Sequence, residues 1–458
     1  MIENDAFKLL LINLFHLNPD DIANILCTTF NKMMALLVTL ADKHQACPYC
    51  GFTAPKIKEY VTKEITHSAL TTQKCIIKYR ARRYKCSCCG KTYYEFNPFV
   101  FKSQKISILT VHNILKDLKD FNETFTSVAR RYHVSPTSVS TIFDKHVDIG
   151  RNPLPEIINF DEVYAFKSEK SKYVCVLLDF KKQIPVDVLP NRKKEYLLNY
   201  FQKIPLEERK KVKYACSDMY EVYRDVVHKV FPSCCMLLDY FHLSQDFHRK
   251  MNEVRIKVMK GYKDNKASDE YYLLKKFNWL LFKNPEDEDK YGRLFDVERE
   301  RKYNSHFKSY MNYYDLRKKL LEINNDLTIC YSLKLELVDF YSKSTIDNAK
   351  VNLENLIRSC IDTNIDEMIA FSNNLINWKQ EIINSFTIVG TEYKVEADKG
   401  QVVVCNKKVN NAIIENRNKI IKCIKNNANG YTNWSRFRNR VMYVLDPNAT
   451  FSLEPREK

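Results

Sequence analysis

The chain has 458 residues, with 73 Lys or Arg against 56 Asp or Glu and a net charge of +17. That length allows roughly two to four domains, and a hydrophobic content of 45% supplies real cores, which excludes a disordered or low-complexity chain. No apolar run approaches the length of a membrane-spanning helix, so no membrane is expected, whereas the positive balance favours a polyanion, of which nucleic acid is the commonest.

The first stretch, MIENDAFKLLLINLF, is acidic and then apolar, with no basic leader region and no small cleavage-type residues. A cytoplasmic protein is expected, and residues 1–40 read as an N-terminal helical segment. In that reducing setting the 15 Cys are metal ligands or small buried hydrophobes rather than disulfides. Two hooks stand out, CPYCG at 47–51 and CSCCG at 86–90. A C-x-x-C turn lets two thiolates reach one tetrahedral zinc, and the Gly after each second Cys permits a positive φ. Cys47, Cys50, Cys86 and Cys89 are the expected ligands of a structural Zn²⁺, with Cys88 as a spare thiol. Strand-like runs at 56–65 and 75–83 make residues 41–100 a zinc ribbon. Residues 74–85 hold six Lys or Arg and no acid. Lys78, Arg80, Arg82 and Arg83 on that strand suit phosphate contacts, which position a protein on DNA without reading it. A solvated edge strand is the plainer alternative.

Residues 101–150 read as a helix-turn-helix unit. Val128, Ala129 and Tyr132 form one apolar face, Ser135 caps a second helix with Pro136 at its first position, and Val139, Ile142 and Phe143 form the next face. Thr137, Ser138 and Thr141 would face a major groove.

The pattern changes at Pro153. Runs at 157–166, 172–180 and 184–190 read as an antiparallel meander, followed by a helix (194–204), a strand ending near Asp218, a helix (221–231) and a strand in CCMLLDYFH, 234–242. That order is the order of a ribonuclease H-like fold. In such a fold Asp161, in the first strand, and Asp218, at the tip of the fourth, lie side by side. Two carboxylates there repel unless a cation sits between them, and hard oxygen ligands suit Mg²⁺ or Mn²⁺. A third carboxylate from a late helix is best supplied by Glu415, which lies off the buried stripe of Ile413, Ile414, Ile420, Ile421 and Ile424. Glu162 and Asp239 are rival acids. Asp239 and His242 are accessory candidates, His242 either meeting a phosphate or base or merely tying down the strand end. Asp179 and Asp187 read as turn or edge residues.

Residues 151–242 are thus the first part of the core and 390–458 its C-terminal part with the Glu415 helix. Between them, 243–389 reads as a helical insertion whose Arg249, Lys250, Arg255, Lys257 and Lys260 form a basic face for DNA ends; Trp279, flanked by Phe277, Leu280 and Leu281, reads as core rather than as a base-stacking residue. Trp434, Arg436, Arg438 and Arg440 read either as a phosphate grip near the centre or as part of a packed terminal helix. The expected fold class is multidomain α+β: an N-terminal zinc ribbon and helix-turn-helix, then a ribonuclease H-like catalytic core interrupted by an all-helical insertion.

FDEVYAF, CSDMYEVYRDVVHKVFP, DYFHLSQ and IIENRNKIIKCIKNNANGYTNWSRFRNRV, in that order, resemble the ISL-three family of bacterial insertion-sequence transposases, a DDE group. The chain departs from the family's habit at Tyr240, commonly Arg, and at Asn416, commonly Gly. The resemblance runs from about residue 47 to 444. It implies Asp161, Asp218 and Glu415 as the catalytic carboxylates, holding two Mg²⁺ (or Mn²⁺), and a nucleoid-associated bacterial enzyme. Its partners would be the terminal inverted repeats and target DNA, met as a homodimer. The other readings are a catalytically silent DNA-binding protein and a structure-specific nuclease on the same core.

Overall fold

The computed structural model describes residues 2–30, 33–43, 46–68, 70–101, 104–166, 171–395 and 402–456. Helix α1 (Ile2–Leu14) is followed by strands β1 (Ile22–Phe30), β2 (Met33–Leu40), β3 (Lys56–Thr66), β4 (Cys75–Lys85) and β5 (Thr92–Tyr94). They form one sheet in the order β1-β2-β4-β3, with β5 on β4. This corrects the expectation of a helical segment over 1–40: after α1 and a single 3-10 turn at Pro19–Asp21 the chain turns to strand, and β1 and β2 pair antiparallel with Leu26 opposite Leu37. The cause is a burial period of two. Leu36, Val38 and Leu40 are buried and Leu37 and Thr39 exposed, an alternation hidden in sequence because both faces carry Leu. Leu11, Ile12 and Phe15 of the α1 end close this core against Ile22, Ile25, Ile77 and Tyr79.

Three helices follow: α2 (Ile108–Asp117), α3 (Phe125–Arg131) and α4 (Pro136–His146). Thr124 caps α3, and Ser135 caps α4 by accepting from the Ser138 amide with Pro136 in the first turn, as the sequence indicates. His133, at φ 54°, makes the sharp corner between them. Val128, Ala129, Val139 and Phe143 pack with Tyr443 from the far end of the chain.

The next unit is a five-stranded sheet. Its elements are β6 (Ile157–Val163), β7 (Val174–Asp179), β8 (Pro185–Leu189), α5 (Lys194–Gln202), α6 (Leu206–Arg209), β9 (Tyr214–Ser217), α7 (Glu221–Val230) and β10 (Cys235–Leu238). The strand order is β10-β9-β6-β7-β8. β6, β9 and β10 run parallel, while β7 is antiparallel to β6 and β8. Helices α5 and α7 cover one face through Leu197, Phe201, Tyr223 and Val227. The other face is covered by residues from the end of the chain, including Ile414, Ile421, Phe437 and Val441.

Helix α8 (Tyr240–Lys260) leaves β10 directly and enters a separate core built with α9 (Asp269–Lys276). Two short hairpins come next, β11 (Glu288–Asp289) with β12 (Gly292–Arg293) and β13 (Lys302–Asn304) with β14 (Ser309–Met311). Then come α10 (Tyr313–Glu322), α11 (Asn325–Lys343), α12 (Ala349–Asp362), α13 (Asp366–Asn377) and α14 (Lys379–Asn384). The insertion is therefore mainly helical rather than all-helical. Trp279 packs against this core, edge-on to Tyr313 at 5.1 Å, as the sequence indicates. A further antiparallel hairpin, β15 (Ile388–Val395) with β16 (Val402–Lys408), precedes α15 (Ala412–Asn427) and α16 (Trp434–Leu445).

Candidate functional site

Register brings the acids together. Ile157 lies beside Tyr214 and Asn159 beside Cys216, so the parallel register, carried on by two residues, sets Asp161 beside Asp218. Leu238 lies beside Ser217, and one further step sets Asp239 on the other side of Asp218. Neighbouring positions of parallel strands in register point their side chains to one face, so these three carboxylates form a row across β6, β9 and β10. Helix α15 lies against β6 and supplies Glu415 in its first turn, where the helix dipole favours a carboxylate. Asn418, three residues on, is buried and donates from Nδ2 to Asp161 Oδ2 at 2.7 Å.

The electrostatics follow from that crowding. Burial, and next the neighbouring charge of Asp218, push the Asp161 carboxyl up to about 7; Glu415 adds to the effect and His242 opposes it. Asp218 is raised as well, first by burial, against the pull of His242 and Arg192. His242 Nδ1 lies 3.0 Å from Asp239 Oδ2, and its pKa is raised by Asp239, Asp218 and Asp161 in spite of burial. Asp239, His242 and Glu415 bring donor atoms within 4.8 Å of one another. Asp161, Asp218 and Glu415 do not meet as tightly as that; Asp161 is coupled to the other two through space. The sequence reading holds Asp239 as a rival acid and as an accessory beside His242, without giving it a place in the row. The signal was a carboxylate directly after a short apolar run, the same position that Asp218 holds after β9.

The rival Glu162 is spent elsewhere: it pairs with Arg192 and accepts from the Tyr223 hydroxyl at 3.4 Å. Asp179 accepts from the Lys181 and Lys182 amides in a turn, and Asp187 is held by Arg438 and the Tyr200 hydroxyl.

The acid row fits a divalent cation. Two buried oxygens of its strands, Asn159 Oδ1 and Asp218 Oδ1, have no donor among the described residues. Acceptors without donors beside mutually repelling carboxylates make a seat for positive charge, and the donors are the hard oxygens that Mg²⁺ or Mn²⁺ takes.

A second convergence lies in the N-terminal sheet. Cys47, Cys50, Cys86 and Cys89 bring their sulfurs within 4.8 Å of one another, with Cys47–Cys89 at 3.8 Å and Cys50–Cys86 at 3.5 Å. Gly51 at φ 75° and Gly90 at φ 69° close the two turns. The backbone amides of Cys89 and Cys88 pull the Cys86 thiol down to about 7, while Cys50, against the pull of the Phe52 amide, is pushed up to about 12 by burial and the neighbouring thiols. Four sulfurs in one cluster fit a closed tetrahedral Zn²⁺.

The basic candidates divide. Arg80 is exposed and lies over the Tyr60 ring at 4.9 Å, and Arg83 reaches Glu59 at 2.6 Å on the surface. Lys78 pairs with Glu64 at 2.7 Å. Arg82 is committed inward: it bridges Glu95 at 2.8 Å and donates to the Leu40 carbonyl at 3.2 Å, so it holds the sheet rather than a phosphate. Thr137 and Thr141 are exposed on α4, whereas Ser138 is half-buried and engaged in the cap. Arg249 reaches buried Asp246, and Lys250 reaches Glu253 at 3.0 Å.

The phosphate grip expected of the terminal arginines gives way to the packed-helix alternative. Arg436 forks onto Asp144 of α4 at 2.6 and 3.0 Å. Arg438 bridges Asp187 at 2.6 Å and donates to the Ile149 carbonyl at 2.7 Å. Arg440, 1% exposed, donates to the carbonyls of Asp120 and Glu123 at 2.8 and 2.7 Å. Arg438 lies two positions from each of the other two and so points to a different side of the helix, whereas Arg436 and Arg440, four apart, share a face; the three arginines clasp α16 to different neighbours.

Comparison with known proteins follows the same outline. A DDE family model of the ISL3 type, described as a transposase, matches residues 158–397. The chain is also similar to the transposase for insertion sequence element IS1001 of Bordetella parapertussis, 19% identical over 420 residues that cover 91% of this chain and 93% of that one.

Proposed function

We propose that this chain, which belongs to the ISL-three family of DDE transposases, binds the terminal inverted repeats of an insertion sequence, cleaves a strand at each end and joins the freed 3′-hydroxyl to target DNA. The observation that carries the reading is the row of Asp161, within β6, and Asp218 and Asp239, just past the ends of β9 and β10, with Glu415 near enough to raise the Asp161 carboxyl. The strand order β10-β9-β6-β7-β8, with one antiparallel partner inside the sheet, supports a ribonuclease H-like core.

Asp161, Asp218 and Glu415 would hold two Mg²⁺ or Mn²⁺, with Asp239 and His242 at the edge of the same cluster. Bound there, such ions activate an attacking oxygen and stabilise the leaving oxygen of an in-line phosphoryl transfer. The protein's own part is positional. β6 and β9 set two carboxylates at one level, α15 brings a third from the opposite side, and the Asp239 carboxylate holds His242 by Nδ1. Nε2 is then the nitrogen that Asp239 leaves free to meet phosphate. Both ends must be held at once, which favours a dimer on DNA.

DNA binding is assigned to the N-terminal third. The four cysteines would take a structural Zn²⁺ that fixes the sheet, presenting Arg80, Arg83 and Lys78 to phosphates. The α3–α4 pair, read as a helix-turn-helix, would place Thr137 and Thr141 against base edges, with Ser138 tightening the first turn. Arg249 and Lys250 on α8 would contact the DNA ends.

The test is gel-based cleavage of DNA carrying the element's own ends, with Mg²⁺ or with chelator. Asp161→Asn and Glu415→Gln should keep end binding and lose strand cleavage; full cleavage by either variant would refute the assignment.

A further inference from the structure

We infer that Asn418 is a positioning residue that fixes the Asp161 carboxylate in its cation-holding orientation, an inference that rests on reading the acid row as a cation seat.

Asn418 stands one turn beyond Glu415 on α15, and residues three apart share a helix face. Its side chain is 5% exposed. Nδ2 donates to Asp161 Oδ2 at 2.7 Å, while the backbone amide of Glu162 donates to Asp161 Oδ1, also at 2.7 Å. Each carboxylate oxygen therefore has one fixed donor, and the plane of the group is set from both sides. Each oxygen keeps lone-pair capacity for a further partner. A carboxylate held this way does not need to be oriented when a cation arrives.

The other end of the Asn418 amide shows what this arrangement costs. Oδ1 is buried and has no donor among the described residues. A stranded buried carbonyl opposes folding, and an apolar side chain of the same volume would remove that penalty. Fold stability alone thus argues for leucine at 418. What leucine cannot do is donate to Asp161. Nearby Asn411 gives the contrast: its amide accepts from Asn159 at 2.7 Å and donates to the Phe160 carbonyl at 3.4 Å, so both ends serve to clasp α15 to β6.

The experiment measures Mn²⁺ binding by electron paramagnetic resonance on the full chain without DNA, alongside the melting temperature, for wild type, Asp161→Asn, Asn418→Leu and Asn418→Ser. The expected result is saturable binding by wild type, loss at Asp161→Asn, and an affinity about 10- to 100-fold weaker at Asn418→Leu with an equal or higher melting temperature. Should the leucine variant fail to fold, the serine variant, which is smaller and too short to reach Asp161, is judged by the same criterion. Wild-type affinity in a folded Asn418 variant, or weakening matched by loss of melting temperature, overturns the role of Asn418 and leaves the cation seat standing. Absence of saturable binding by wild type overturns both.

Discussion

The chain carries two clusters of metal-ligating side chains, and they are made in opposite ways. The cysteine cluster draws its four sulfurs from two tight turns, 47–50 and 86–89, on one sheet. The acid cluster draws its donors from β6, β9, β10, α8 and α15, spread over 161–418. The first is closed and soft, so a metal held there would contribute to folding. The second is open and hard. It is a set of buried like charges that opposes folding until a cation or a proton neutralises it, and such opposition is what a catalytic site retains for chemistry. Removing metal from the two should therefore have opposite consequences.

The largest effect expected is at the cysteines. Cys47→Ser, or a strong chelator, should unfold the N-terminal sheet, seen as early protease cutting within 41–100 and loss of DNA binding, with the 157–242 sheet still cooperative by hydrogen exchange. Structural zinc is worth on the order of 10 kcal/mol in small modules, enough to decide whether this sheet folds. Asp161→Asn should do the reverse, lowering strand cleavage on the order of a thousandfold while the fold is kept. Unfolding of both regions together in either case would erase the distinction.

Next in size is the inner clamp of the cysteine sheet. Glu95→Ala leaves the Arg82 guanidinium half-enclosed with no carboxylate, and should cost about 3 kcal/mol by denaturant unfolding. A surface-like cost of a few tenths would mean that Arg82 is free for DNA after all.

The acid row also gives a pH signature. Asp161 is raised from 3.8 to about 7 in the fold. Between those values the folded chain keeps a proton that the unfolded chain has lost, so the stability of the cation-free protein falls as pH rises through that window. Asp161→Asn should flatten this slope in melting curves. Added Mn²⁺ should raise the melting temperature more at pH 8 than at pH 5, where a proton already occupies the site. The smallest effect is on α4: Thr141→Ala should weaken binding to the element's ends by about 1 kcal/mol and leave nonspecific DNA binding unchanged in a gel-shift competition.

The same contrast explains what could be read in advance. Local chemistry is legible: the cysteine hooks, the Ser135–Pro136 helix start and the alternation of strands and helices over 157–242 all depend on residues a few positions apart. Asp161 and Asp218 are reached through that order, because an acid in the first strand and one at the tip of the fourth are neighbours in the fold it implies. What sequence concealed is pairing at a distance. The β1–β2 hairpin hides behind an apolar run without polar alternation. Asp239 joins the row only once β9 and β10 are known to be neighbours. Arg82, Arg436 and Arg438 look like phosphate ligands until Glu95, Asp144 and Asp187 are found beside them. A basic residue shows its charge in sequence, but the acid that claims it does not.

The most direct test of the account is calorimetric titration of Mn²⁺ into the zinc-loaded protein, for wild type and for Asp218→Asn. The account predicts a saturable wild-type isotherm, stronger at pH 8 than at pH 5, that disappears in the variant while the zinc content stays unchanged. An isotherm that is the same for both proteins would mean that the acid row holds no cation, and the catalytic reading of this chain would be contradicted.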